Sequence, residues 1–244
     1  SVDGPLFLHV LEHSPAAALL VANSREKLLA IDHQGKTLPL FIPLDTPYAA
    51  VSVFMTDARD RGFITFTDRR LLEFQLTSEG VSNAVWHTPN LPAELFRPMA
   101  LMPNSERLVL KSDGMIYLFD LRSDSFSALP GNKYAAVTAF SKNGQSSIVT
   151  VNVNGALEFW DPTGQRIFKN EIPKRPDEPE QLTPIGVAAG SMIVLSPDRS
   201  ILATSVSERI YLWSAETGNL VWRSPPLFKA TPWGENRLRI FSFS

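Results

Sequence analysis

The sequence predicts an all-β fold built from repeated four-stranded antiparallel units, and three observations lead there. Short apolar or alternating runs of four to eight residues recur along the chain, separated by polar turns, as strands do. Helical periodicity is almost absent. No alternation of helices with strands appears, which argues against parallel α/β folds, and Pro92 to Pro98 has room for one helical turn at most. Finally, one strand-and-turn layout returns at a nearly constant interval.

The units follow in order. The first, residues 4–45, ends its third strand at Ile31-Asp32. The second, 46–92, contains VFMTDARDRGFITFTDRRLLEFQ and ends that strand at Phe74-Gln75. The third, 93–131, contains ALMPNSERLVLKSDGMIYLFD and ends it at Phe119-Asp120. The fourth, 132–185, and the fifth, 186–230, are the clearest pair: AFSKNGQSSIVTVNVNGALEFWD (139–161) and MIVLSPDRSILATSVSERIYLWS (192–214). Both run through an apolar strand, a Ser with a polar turn, a second apolar strand, a short turn and a third strand ending in Trp. Anchors at 31, 74, 119, 160 and 213 give spacings of 43, 45, 41 and 53. A propeller blade of four strands repeats every 40–45 residues or so. The long spacing comes from IPKRPDEPEQLTP (172–184), whose Pro and charge read as a surface loop. A sheet of four strands cannot bury both faces alone; blades stacked around an axis cover one another. An aromatic ring ending the third strand suits the gap between blades, where its burial contributes about 1.5–3 kcal/mol. The predicted fold is therefore a β-propeller.

Residues 231–244 read as the first strand of a sixth unit, with Phe243-Ser244 aligned on Phe140-Ser141. The chain stops there and does not begin with Met. Two expectations stay open: a fragment of a six- or seven-blade parent, or a strand that closes the ring.

At these residues the chain resembles the WD-repeat family, strongly over 135–223 and weakly before 100. Trp160-Asp161 matches the family dipeptide; Phe119-Asp120 and Trp213-Ser214 approximate it, and Phe74 takes the aromatic place. Ser196-Pro197-Asp198 matches the turn between the first two strands of a family blade. The resemblance assigns Asp68, Asp113 and, as a substitute, Asn154 to the turn before the third strand. The stretches WDPTGQRI and LWSAETGNL resemble prokaryotic WD repeats, which often sit at the end of large multidomain proteins. The family's Gly-His dipeptide is missing from every unit. The resemblance therefore implies an incomplete hydrogen-bond strut and greater reliance on apolar packing.

Composition narrows the function. Of 244 residues, 44% are hydrophobic and 20% charged, the balance of a folded domain. A formal net charge of -2 makes direct nucleic-acid binding unexpected. The absence of cysteine excludes disulfides and thiolate metal sites, and is compatible with the expected cytoplasmic location. No apolar run approaches the roughly 20 residues that span a bilayer, so no membrane contact is expected. Nucleotide-binding glycine motifs and the GxSxG elbow are absent.

The remaining candidates are weak, and the sequence assigns no catalytic, cofactor or metal residue. His9 and His13 share a strand face, but no third ligand completes a metal site. Asp32, Asp120 and Asp161 take equivalent places in successive units, so they read as turn carboxylates and not as one reactive set. Arg59, Arg61, Arg69 and Arg70, interleaved with Asp57, Asp60 and Asp68, offer an Arg-rich contact for an acidic partner; the plainer reading is a pair of solvated turns. Trp86 and Trp222 fall outside the Trp-Asp places in outer strands and are candidate partner contacts, as core packing is the alternative; Trp233 also falls outside them. The expected function is a non-catalytic interaction, scaffold or sensor propeller, binding proteins or other domains of its own chain. The alternative is a propeller enzyme or small-ligand or metal-binding propeller, which would need His, Asp and Glu gathered around the central channel.

Overall fold

The computed structural model describes residues 6–11, 14–23, 26–44, 48–56, 60–92, 95–103, 105–131, 134–142, 144–152, 155–172, 193–206 and 209–225. The described elements are all strands. The first group is β1 (Leu6–Val10), β2 (Leu19–Asn23), β3 (Lys27–Ile31) and β4 (Thr37–Pro43); the second is β5 (Ala50–Met55), β6 (Arg61–Phe66), β7 (Leu71–Thr77) and β8 (Gly80–His87). The third group is β9 (Arg97–Leu101), β10 (Arg107–Ser112), β11 (Met115–Asp120) and β12 (Ser125–Ala128). Then follow β13 (Tyr134–Lys142), β14 (Gln145–Asn152), β15 (Leu157–Trp160) and β16 (Arg166–Asn170), and finally β17 (Ile193–Leu195), β18 (Ile201–Val206), β19 (Arg209–Ser214) and β20 (Leu220–Arg223).

The last three groups are four-stranded antiparallel sheets with strands in chain order. The first two differ from the expected separate units. They share one eight-stranded mixed sheet, in the order β1-β2-β3-β4-β8-β7-β6-β5. Its edge strands β1 and β5 lie close together, so the sheet curls towards closure as a barrel does. The joint is local. β4 and β8 pair in parallel at Leu40 and Gly80 alone, and the Leu40 amide donates to the Glu79 carbonyl at 2.8 Å. Gly80 has φ 125, and a Cβ there would lie 2.2 Å from the Leu40 carbonyl oxygen. Only glycine lets β4 come this near.

Two compact units divide the chain: Ser1–Leu101 with Phe119–Phe126, and Met102–Leu118 with Ser127–Ser244. In the first, Leu20, Ala22, Leu28 and Ala30 of β2 and β3 form one core with Ile64, Phe66, Leu72 and Phe74 of β6 and β7. In the second, Val149, Val151, Leu157 and Phe159 form one with Leu202, Tyr211 and Trp213. Both cores lie between consecutive four-stranded meanders packed face to face. Strands β6 and β15 are buried almost throughout, with Phe63, Ile64 and Phe66 of β6 and Leu157, Phe159 and Trp160 of β15 carrying large apolar side chains on both faces.

One relation recurs between consecutive meanders. A fourth strand, from its middle or its end, meets the next meander in or just after the turn between its third and fourth strands, at a residue with positive φ. Leu40 meets Gly80. His87 meets Asp124, which has φ 52. Leu129 packs at Gly164, which has φ 88. The Asn170 amide donates to the Gly218 carbonyl at 2.6 Å, with Gly218 at φ 68. First strands are also neighbours: β1 beside β5, β5 beside β9, and β13 beside β17.

Candidate interaction surfaces

The turn from β6 to β7 carries the first surface. The Arg69 amide donates to the Phe66 carbonyl at 3.0 Å and the Arg70 amide to the Asp68 carboxylate at 3.2 Å, closing a tight turn with Arg69 at φ 70. The Asp68 carboxylate also holds the Arg70 guanidinium. That guanidinium lies 4.6 Å from the centre of the Trp86 ring, which rests on Phe66 at 5.2 Å. Trp86 stands opposite Leu72 on β8 and is 37% exposed. Stacking of this kind contributes about 0.5–1 kcal/mol at an exposed site and holds both groups in place. The result is an indole and a guanidinium fixed side by side, with the guanidinium paired to Asp68.

The structure separates the four arginines named above. Arg70 joins Trp86 and Arg69 is exposed in the turn, while Arg59 lies outside the described residues. Arg61 is turned to another task, donating from Nε to Glu73 Oε1 at 2.7 Å. Glu73 in turn lies 3.2 Å from His87 Nε2, and His87 Nδ1 is 2.7 Å from Asp124. Burial alone would push the Glu73 carboxyl up, but His87 and Arg61 outweigh it and hold the group below its ordinary value. Burial likewise opposes a charged His87, and the hydrogen bonds and charges of Glu73 and Asp124 raise it overall. No spacing in the sequence joins Arg61, Glu73, His87 and Asp124. The one visible signal is a lone carboxylate, Glu73, within the apolar strand LLEFQL.

A second surface is the outer face of the first meander. Cross-strand pairs put Leu8, Val21, Leu29 and Phe41 in one row. Val10, Leu19 and Ile31 form the next. Leu8, Val10 and Phe41 are 56%, 66% and 52% exposed, and the other four are half-buried. The alternate residues of β2 and β3 make the core described above. Lys27 rims this face, with its ammonium 5.2 Å from the centre of the Phe41 ring. Trp222 belongs to the second unit, on β20 opposite Leu212, and is 48% exposed.

The repeat positions are structural in geometry. Asp32 accepts from the amides of Gln34 and Lys36, Asp120 from Arg122 and Ser123, and Asp161 from Thr163 and Gln165. Asp113 and Gly114, at φ 44 and 79, form the two-residue turn between β10 and β11. Phe74, Phe119, Trp160 and Trp213 are buried. Asn154, His13 and Trp233 lie outside the described residues, as does nearly all of the 172–184 loop. His9 stands on β1 opposite Leu20. Among the described residues no group of three or more His, Asp or Glu side chains could hold a metal ion. A scan against protein-family models and a search of curated proteins each found no match.

Proposed function

We propose that this chain is a β-propeller of the WD-repeat type that serves as a non-catalytic protein-binding or scaffold module within a larger protein or assembly. The propeller reading is supported by the recurring junction between meanders, by the neighbouring first strands and by cores that lie between faces. A single parallel pair between β4 and β8 fits two abutting blades better than one continuous barrel wall.

The observation that carries the binding role is the apolar face of the first meander that the described residues leave open. Contiguous exposed apolar surface of this kind supports an interaction site. The Arg70–Trp86 pair offers a second contact of different chemistry. The test is cross-linking of the natural full-length product in its source cells, followed by repeat capture with variants. Val10→Lys with Phe41→Lys should abolish cross-links from the first meander, and Trp86→Ala should weaken a partner at β8 by about tenfold. Recovery of every partner at the wild-type level by both variants would sink the proposal.

A further inference from the structure

We propose that the joint between the second and third meanders is a pH-responsive clasp, closed while His87 carries its second ring proton and released when that proton leaves. Both imidazole nitrogens face carboxylate oxygens, Nδ1 at 2.7 Å from Asp124 Oδ1 and Nε2 at 3.2 Å from Glu73 Oε2. An ionised carboxylate only accepts hydrogen bonds, and a neutral imidazole has a single N–H. Only the imidazolium satisfies both partners. In the neutral ring one lone pair would face a carboxylate at close range, with the His87 side chain only 5% exposed.

The groups around His87 set the sign of the effect. Glu73 approaches from β7 and Asp124 from the turn between β11 and β12; Arg61 of β6 reaches Glu73 from the far side. The edge-on Phe119 ring of β11, 5.8 Å away, adds no charge. With its proton the ring sets a positive charge between two carboxylates; without it that charge is gone while both carboxylates still face the ring. Asp124, with a 51% exposed side chain, has water to turn to, whereas Glu73 stays held by Arg61. The Asp124 arm is the one that lets go. The other three described junctions use backbone, an amide or aliphatic contact, so none of them titrates in this way.

The raised His87 pKa fixes the window. Stability from the clasp is full below about 6.5, the ordinary histidine value, and is lost as pH rises through the raised one. Glu73, held low, works the other way, contributing above its ordinary 4.5 and failing only as pH falls through its lowered value. The proposal does not depend on the binding role above.

The experiment follows the His87 imidazole by NMR and amide hydrogen exchange by mass spectrometry in the whole chain, from about pH 6 to pH 9. The expected His87 midpoint lies above 6.5. Protection of residues 121–126, corrected for the intrinsic pH dependence of exchange, should fall at least about tenfold along the same curve. The corresponding turn at 215–219 should not follow it. Asp124→Asn, at an exposed position, should lower the midpoint and flatten the exchange profile. A midpoint at or below 6.5, constant protection at 121–126, or a wild-type profile in Asp124→Asn would overturn the clasp.

Discussion

Trp160 and Trp213 end the third strands of their meanders, and each buried indole N–H donates to a threonine on the strand before. The distances are 3.0 Å to Thr150 and 2.9 Å to Thr204. Trp160 stands opposite Ile148 and Trp213 opposite Leu202, with the threonine two residues further on in both. In the second meander that place holds Phe74 opposite Gly62, and the residue two further on is Ile64. In the first it holds Ile31 opposite Leu19, with Val21 two further on. An acceptor stands there only where an indole must be satisfied, because a buried N–H without a partner loses its water for nothing. Thr150→Val keeps the shape and removes the acceptor, so it should cost about 1–3 kcal/mol in a urea titration. Adding Trp160→Phe should cost less than the sum of the two single changes; simple additivity would remove the hydrogen bond from the account. Tyr134, whose ring meets Trp160 edge-on, gives a second check. Burial, then the charge of Glu158, pushes its phenol up to about 12. An absorbance titration should find Tyr134 ionising near there, and Glu158→Gln should lower that midpoint.

Turns decide how the elements meet, and their chemistry was only partly readable. The Asp113-Gly114 pair between two apolar runs is a hairpin signal from sequence alone. Strand alternation and the aromatic ends of third strands likewise made the four-stranded repeat legible. The parallel contact of β4 with β8 was not, because one residue pair leaves no periodic trace. Arg70 and Trp86 could be named separately, but their stacking depends on the β7–β8 register, which contains an irregularity between Glu73 and Gln75. His87, Glu73 and Asp124 come from three elements and share no spacing. Two glycines separate strain from crowding in a direct test. Gly35, φ 81, has open space where a Cβ would go, so Gly35→Ala should cost only the left-handed conformation, about 1–2 kcal/mol. Gly80→Ala adds a collision with the Leu40 carbonyl and should cost clearly more. It should also speed exchange of the Leu40 amide, which is bonded to Glu79. Equal costs at both sites would mean that the β4–β8 contact contributes nothing.

Across the molecule, a meander covered on both faces contains strands with large apolar side chains on both faces, as β6 does and as β15 does with Glu158 among them. Strand β3, Lys-Leu-Leu-Ala-Ile, has the same two-sided composition, yet its residues alternate between half-buried and buried. Its sequence is that of a strand covered twice, and among the described residues it is covered once. That mismatch is in keeping with the binding face proposed above, and it makes a prediction about energy. Leu20 and Val10 are both aliphatic and lie on opposite faces of the same pair of strands. Leu20→Ala opens a cavity in the core and should cost about 2–5 kcal/mol in the isolated chain. Val10→Lys, at a position 66% exposed, should shift the denaturation midpoint by no more than about 0.5 kcal/mol. Its effect should appear instead as lost association, read by light scattering or by the cross-links described above. If Val10→Lys destabilised the isolated chain as much as Leu20→Ala, the outer face would already be covered from within. The binding reading would then lose its main support. A near-silent Val10→Lys that dissolves an assembly would place the missing cover outside these meanders.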